Sequence, residues 1–122
     1  MSKMVLDVLK KSGVPMTVPQ ILEALKMGGK CPNKTTIYRQ IQALKDVGIA
    51  QEVMLKNGIA FYEYKTDHHH HFFCIVCDTI QCFEDHDLER LIHTSEANFK
   101  AKGLRVTHHE FNLFGMCAEC QK

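Results

Sequence analysis

Two cysteine pairs constrain this chain more than any other feature of its sequence. The first pair is Cys74 and Cys77, and the second is Cys117 and Cys120. A spacing of two residues lets both sulfurs of a pair reach one metal ion from a tight turn, and four thiolates are the ligands of a tetrahedral structural zinc site. The 39 residues between the pairs are too many for a zinc ribbon. We therefore expect the metal to clamp the end of a small α/β unit onto its beginning.

The cysteines also bear on the compartment in which the protein works. The chain has 122 residues and six cysteines, with no secretory signal pattern and no apolar run long enough to span a membrane. In a reducing compartment, paired cysteines bind metal more often than they form disulfides. We predict a cytoplasmic protein with one or two small globular domains.

The net charge of +1 hides an uneven distribution of charge along the chain. Residues 1–65 carry ten Lys and Arg against five Asp and Glu, whereas residues 66–122 carry five against nine and hold all eight histidines. A basic half is suited to a polyanion, and an acidic, histidine-rich half is suited to cations. We predict two domains, 1–65 and 66–122.

The N-terminal half has the pattern of three short helices and a β-hairpin. Thr17 and Gln20 form a capping box for the second helix, and Asn33 is a suitable N-cap for a third helix over residues 34–47. The Asn57-Gly58 dipeptide is a strong hairpin signal. The apolar stripe of the third helix is predicted at Ile37, Ile41, Leu44 and Val47. This order of elements is typical of a winged helix-turn-helix domain.

In a winged helix the third helix enters the major groove of DNA and the wing touches the backbone. Arg39 is suited to guanine edges. The predicted DNA-binding residues lie on the polar face of the third helix and on the wing: Lys34, Thr35, Thr36, Tyr38, Arg39, Gln42 and Lys56. The alternative is an ordinary solvated surface, but the wing and the charge distribution favour DNA.

Four consecutive histidines, His68 to His71, precede the first cysteine pair. If residues 68–74 form a strand, side chains alternate between its faces, so His68 and His70 share one face while His69 and His71 share the other. One strand would then serve two metal sites, since imidazole binds zinc, nickel, iron and copper. A solvated loop is the alternative.

The remaining C-terminal segments predict a strand over 79–83, a helix that begins in the acidic residues 84–87, and a long strand over 104–116 that could pair across a dimer axis. The core stripe of the helix is predicted at Leu88, Leu91, Ile92 and Phe99. Cys31 is expected as a small apolar residue before the third helix. Cys82 is either a metal ligand or redox thiol, or, more commonly for a cysteine of this kind, a buried and inert one.

Taken together, the Thr35–Arg39 segment, the histidine run, both cysteine pairs and residues 103–109 resemble the ferric uptake regulator family over nearly the whole chain. This family comprises metal- or peroxide-responsive bacterial transcription regulators. The resemblance implies an α/β (α+β) protein with an N-terminal winged helix and a small C-terminal α/β dimerisation domain that carries a four-cysteine zinc site. It also implies a homodimer.

The resemblance assigns ligands to three sites. The structural zinc site takes Cys74, Cys77, Cys117 and Cys120. A site in the dimerisation domain takes His68, His70, Glu89 and His109. The sensing site takes Glu63, His69 and His71, to which we add Cys82. The chain departs from the family pattern at His70, where an aspartate is common, at Pro15, near which the family often has a histidine ligand, and at Cys82, where peroxide sensors have an aspartate. More nitrogen and sulfur ligands favour zinc or nickel over iron or manganese.

We therefore predict a metal-dependent repressor of metal-homeostasis genes, of the zinc- or iron-uptake type, that binds a double-stranded DNA operator as a homodimer. Its cofactors would be a permanent structural zinc and a regulatory zinc, iron, nickel or manganese ion that bridges Glu63 to His69 and His71. No membrane, small-molecule substrate or enzymatic activity is expected. The alternatives are a peroxide- or redox-responsive regulator of the same family, a metal buffer, and a small zinc enzyme with Glu89 as base. The late start of the chain, without the family's extra N-terminal helix, predicts reduced DNA affinity.

Overall fold

The computed structural model describes residues 3–65, 69–107 and 109–122. The chain divides into two compact units, Met1–Asp67 and His68–Lys122. Residues 66–68, which include the predicted linker and the predicted ligand His68, lie outside the described residues, as does His108. No helix within the described ranges is long and apolar enough to cross a membrane.

The N-terminal unit contains three helices followed by a two-stranded antiparallel hairpin, as the sequence predicts. Its elements are α1 (Lys3–Ser12), α2 (Val18–Met27), α3 (Lys34–Asp46), β1 (Ala50–Lys56) and β2 (Ile59–Tyr64). The hairpin turns at Asn57 and Gly58, where Gly58 has a φ of 75° that glycine adopts without strain. The three helices and the hairpin therefore form a winged helix.

Side-chain caps set the starts of α2 and α3. Thr17 and Gln20 form the predicted capping box, in which each side chain accepts a hydrogen bond from the other residue's backbone N–H. Asn33 Oδ1 accepts the backbone N–H of Thr36 at 2.8 Å, which starts α3. The prediction for Val47 is wrong, because α3 ends at Asp46 and the Val47 side chain, at the C-cap, is 68% exposed.

The core of this unit is formed by one apolar face from each helix together with Ala50 of β1 and Tyr62 of β2. Its buried members are Val5, Leu9, Val18, Ile21, Leu25, Ile37, Ile41, Leu44, Ala50 and Tyr62. Burial of these faces directs the opposite, polar face of α3 away from the core.

We expect Asn33→Ala to lower the free energy of unfolding of the N-terminal unit by about 1 kcal/mol, because the first turn of α3 loses its capping acceptor. The measurement is urea denaturation followed by helical circular dichroism. Thr35→Ala is the control, since Thr35 is an exposed residue of the same first turn and the two capping bonds join Thr36 to Asn33 instead. An unchanged denaturation midpoint for Asn33→Ala would contradict the expectation.

The C-terminal unit is a three-stranded sheet with one long helix. Its elements are β3 (His70–Cys74), β4 (Ile80–Phe83), α4 (His86–Ala101), β5 (Asn112–Gly115) and a short 3-10 turn (Glu119–Gln121). The strand order is β4-β3-β5, with β4 antiparallel and β5 parallel to the central strand. Because β3 and β5 run in the same direction, the cysteine pairs at their C-terminal ends lie at the same end of the sheet.

Two predictions for this unit are wrong within the single chain. No residue of α4 is buried, and Leu91 and Phe99 of its predicted core stripe are 64% and 40% exposed. Among the described residues of the predicted strand over 104–116, only Asn112–Gly115 form a strand, where β3 provides a partner. A strand needs a partner for its backbone hydrogen bonds. The short β3 provides this partner to Asn112–Gly115 alone, and its other side pairs with β4, so the predicted strand is short. Strands β3 and β4 also begin later than predicted, at His70 and Ile80.

Candidate metal centres and nucleic-acid interface

The four paired cysteines come together at one end of the C-terminal sheet. Their sulfur atoms all lie within 4.8 Å of one another, with 3.7 Å between Cys74 and Cys120 and 3.8 Å between Cys77 and Cys117. A tetrahedral zinc ion with bonds of about 2.3 Å needs sulfur atoms about 3.8 Å apart. The cluster therefore fits a structural zinc ion, and it joins the end of β3 to the chain after β5.

The backbone around the cluster is arranged to hold thiolates. The N–H groups of Cys77 and Cys117 donate to Cys74 Sγ at 3.5 and 3.4 Å and lower the pKa of Cys74 to about 6. The Thr79 hydroxyl lies 2.9 Å from Cys77 Sγ and lowers the pKa of that thiol as well. In contrast, side-chain hydrogen bonds raise the pKa of Cys120 to about 12, and the bond with Cys117 has a larger effect than the bond with Cys77. Four sulfurs at this spacing ionise together only when a cation lies among them.

A second donor cluster contains His70, Glu89 and His109, whose ligand atoms also lie within 4.8 Å of one another. His70 is almost fully buried, and its Nε2 lies 2.5 Å from Glu89 Oε1. His109 Nε2 lies 3.9 Å from the same oxygen. These distances bracket the spacing of about 3 to 3.5 Å between neighbouring ligands on a metal with bonds of about 2.1 Å. Small side-chain rotations would thus accommodate a cation.

Glu96, which is not among the predicted site residues, orients His109 in this cluster. Glu96 Oε2 lies 3.2 Å from His109 Nδ1. An ionised carboxylate only accepts, so Nδ1 carries the proton and Nε2 is left to face Glu89. The available signal was the spacing of Glu89 and Glu96, since residues seven apart lie on one face of a helix.

The third donor cluster contains His69, His71 and Cys82, again within 4.8 Å. The structure has the predicted alternation, because His69 and His71 lie on the opposite side of the sheet from His70. The alternative of a buried Cys82 is wrong, since this cysteine is exposed on the edge strand β4. Cys31 is exposed as well.

Asn112 on β5 holds the ring of His71 on the neighbouring central strand β3. Its Oδ1 lies 3.1 Å from His71 Nδ1, and the two residues are partners in the parallel pairing of β3 and β5. The amide oxygen only accepts, so His71 donates from Nδ1 and Nε2 is left for a ligand bond. Nothing in the sequence marks Asn112, because the register of β5 is a tertiary property.

The N-terminal unit contains Glu63 of the predicted sensing site and Pro15, near which the family often has a histidine ligand. Glu63 is a buried carboxylate on β2 that accepts a hydrogen bond of 2.6 Å from Gln51 Nε2. Pro15 is fully buried and has no side-chain donor atom for a metal. The assignment of Glu63 as a ligand stays a prediction, as does every ligand role above.

The predicted DNA-binding residues form the exposed side of α3 and the tip of the wing. Lys34, Thr35, Tyr38, Arg39 and Gln42 are exposed, as is Lys56 beside the hairpin turn. Thr36 differs, because it is half-buried and its hydroxyl donates to Asn33 Oδ1 in the cap. On the opposite side of α3, Gln40 accepts the backbone N–H of Val5 at 3.1 Å. This buried bond, which the sequence analysis missed, fixes α3 against the first turn of α1.

A winged helix followed by a metal-ligand-rich α/β unit with a four-cysteine clamp defines a metal-responsive transcription regulator. The model of the ferric uptake regulator family matches residues 2–114, and the chain belongs to this family. Its members are metal-binding, DNA-binding transcription regulators.

Known proteins of this class are similar over nearly the whole chain. The peroxide-responsive repressor PerR of Staphylococcus aureus (strain USA300) is 29% identical over 121 residues, which cover 96% of this chain and 77% of PerR. The ferric uptake regulator of Francisella tularensis with iron has a TM-score of 0.81 at 23% identity, covering 99% of this chain and 91% of that one. The Helicobacter pylori regulator Fur, whose structure has three functional metal-binding sites, has a TM-score of 0.83 at 23% identity, with coverages of 99% and 79%.

Proposed function

We propose that this protein is a metal-dependent repressor of metal-homeostasis genes that binds its operator as a homodimer. One observation carries the proposal: His69, His70 and His71 supply two separate donor clusters on opposite sides of the sheet whose far end carries the four-cysteine cluster. A structural zinc site alone would need neither of the other two. The additional clusters support a protein whose state depends on a second metal ion.

In this proposal three sets of side chains each bind one metal ion. The four cysteines hold zinc, whose role is to stabilise the C-terminal unit. His69, His71 and Cys82 hold the regulatory ion, with Glu63 as the further ligand that the family resemblance predicts. His70, Glu89 and His109 hold a third ion, with His68 as the remaining predicted ligand. A bound cation would cross-link side chains that come from different elements of the unit.

Two nitrogen donors and one sulfur donor favour zinc as the regulatory metal, since borderline-soft ions prefer imidazole and thiolate. A zinc-uptake type of repressor is therefore our first choice, with an iron-uptake type second. The sequence contains no His-Glu-x-x-His motif, the helical ligand pattern of many zinc enzymes.

Exposed apolar side chains support the homodimer. The C-terminal unit has only four buried side chains among its described residues, at His70, His71, Phe73 and Cys74. It exposes large apolar side chains on the cysteine turn, on α4 and along residues 104–116: Ile75, Val76, Leu91, Phe99, Leu104, Val106, Leu113, Phe114 and Met116. Apolar surface on this scale in a small unit marks an association surface.

The test is fluorescence anisotropy with an A/T-rich palindromic DNA at fixed salt. A chelator too weak to remove zinc from the four cysteines keeps the other sites empty, and zinc, nickel, manganese or ferrous ion is then added. We expect the dissociation constant to fall at least about tenfold with the regulatory metal, within the usual range of coupling between sites. Equal binding with and without added metal would indicate a constitutive regulator, and no binding under any condition would favour a metal buffer. Either result overturns the proposal.

A pair of arginine variants tests which surface contacts DNA. We expect Arg39→Ala to weaken binding about tenfold or more, because a guanine contact by arginine contributes about 1–3 kcal/mol. Arg90→Ala is the matched control, since Arg90 is an exposed arginine on α4 of the other unit. Equal effects of the two substitutions would contradict the assignment of the α3 surface.

A further inference from the structure

Cys82 is brought to His69 and His71 by the backbone of the sheet. In the antiparallel pairing of β3 and β4, Cys82 lies directly opposite His71, so their Cβ atoms are about 5 Å apart on one face. His69 lies two residues before His71, and the centroids of the two rings are 4.9 Å apart. Strand register rather than a chance rotamer therefore places a sulfur and two imidazoles around one point.

The three donors differ in their access to solvent. His71 is buried and is held by Asn112, whereas Cys82 is exposed because β4 is the edge strand of the sheet. Cys82 forms no disulfide. The sulfur is thus the donor that a dissolved reagent reaches first. The His70, Glu89 and His109 cluster contains no sulfur, so the same reagent has no thiol to attack there.

We propose that Cys82 is a peroxide-modification site that controls metal occupancy at His69 and His71. The reduced thiolate is the third ligand of a zinc-class ion, and its oxidation to sulfenic acid releases that ion. The effect on transcription rests on the proposed function, because only a metal-dependent repressor converts metal loss into loss of DNA binding. The chemistry at the site does not depend on DNA.

The step balances with hydrogen peroxide as the oxidant. The Cys82 sulfur attacks one peroxide oxygen, the S–O bond forms as the O–O bond breaks, and hydroxide leaves and takes a proton from solvent to become water. Sulfur loses two electrons and the peroxide gains them. The neutral sulfenic acid is a poor metal ligand. A low-molecular-weight dithiol restores the thiol, with release of water and oxidation of the dithiol to a disulfide.

Loss of the thiolate leaves two imidazoles and the predicted ligand Glu63, one donor fewer than the reduced site, so the ion is held less tightly. Removing even an outer partner of a metal ligand commonly lowers affinity about 10–100-fold, and removal of a ligand has at least that effect. The site would therefore respond to two inputs, the metal concentration and the oxidant. The sulfur makes this response possible without redox chemistry at the metal.

The test uses the full chain with zinc in the four-cysteine site and one added equivalent of Co²⁺, whose bond to a thiolate gives a near-ultraviolet charge-transfer band. Stoichiometric peroxide is then added, released metal is measured with a chromophoric chelator, and sulfenic acid is located by dimedone labelling and mass spectrometry. Cys82→Asp keeps a possible ligand but removes the sulfur. Cys31→Ser is the matched control, because Cys31 is also exposed and lies outside all three clusters.

We expect the wild type and Cys31→Ser to release one ion per chain in step with labelling of Cys82. Cys82→Asp should lack the charge-transfer band and release its ion at least about tenfold more slowly. Equally fast release from Cys82→Asp, or retention of the ion by labelled wild type, would overturn the proposal. Anisotropy on the same samples separates the two proposals: Cys82-dependent release without any metal-dependent DNA binding refutes only the repressor, and metal-dependent DNA binding that peroxide leaves intact refutes only the role of Cys82.

Discussion

Removal of zinc from the four-cysteine cluster is expected to unfold the C-terminal unit while the N-terminal unit stays folded. The C-terminal unit has very few buried side chains, and Cys74 is one of them. Domains of this size are marginally stable without a metal or another cross-link. Structural zinc contributes about 10–16 kcal/mol of apparent binding free energy in small domains, which is comparable to or greater than the total stability of a typical domain, about 5–15 kcal/mol.

The N-terminal unit should survive because its core needs no metal. Its three helices and hairpin bury apolar faces against one another, and no cysteine contributes to that core. A strong chelator with a thiol reductant is therefore expected to abolish amide protection in β3, β4, α4 and β5, while the helices and hairpin of the N-terminal unit stay protected. Hydrogen exchange with mass spectrometry measures this segment by segment.

Single cysteine variants separate loss of zinc from side effects of the chelator. Cys117→Ser should reduce the zinc content and release the same amides, whereas Cys31→Ser should behave as the wild type. Protection of β3 that persists in zinc-free protein would refute the structural role of this cluster.

Paired aspartates in the segment after α4 are expected to convert a homodimer into monomers. Leu104 and Val106 are 55% and 41% exposed in the single chain. If a second copy covers them, Leu104→Asp with Val106→Asp places four charges in the interface of each dimer. Burial of unpaired charge costs several kcal/mol, so a total of about 4 kcal/mol is a conservative expectation. The dimer dissociation constant would then rise roughly a thousandfold.

Analytical ultracentrifugation over a range of concentrations measures this shift. Met27→Asp is the matched control, because Met27 is an 83% exposed apolar residue at the end of α2 in the other unit. Zinc content and circular dichroism of the double variant establish that it is folded. A double variant that stays dimeric at the same concentrations as the wild type would place the association surface elsewhere.

Local patterns in the sequence were sufficient for most of the N-terminal unit. The capping box of Thr17 and Gln20, the Asn33 cap and the Asn57-Gly58 turn all act within four residues, so their geometry is set by the neighbouring backbone. The same holds for the alternation of His69, His70 and His71, which follows from the two-residue period of a strand. The order of the helices, the wing and the four-cysteine cluster were therefore predictable from the sequence.

Properties that depend on a neighbour distant in sequence were not predictable in this way. The period of α4 indicates an apolar face, but only the arrangement of the sheet decides whether that face is covered. The exposure of Cys82 follows from the place of β4 at the edge of the sheet. The link between Asn112 and His71 follows from the register of β5 on β3, which no pattern within either strand contains.

The sequence by itself thus determined the order of the elements, the candidate donor residues and the family, because spacing and caps act over short distances along the chain. Only the tertiary structure decided which donors share a cluster, which of them face solvent, and which partners orient their rings. Those properties depend on packing and strand register, which are set by the whole unit rather than by any one segment.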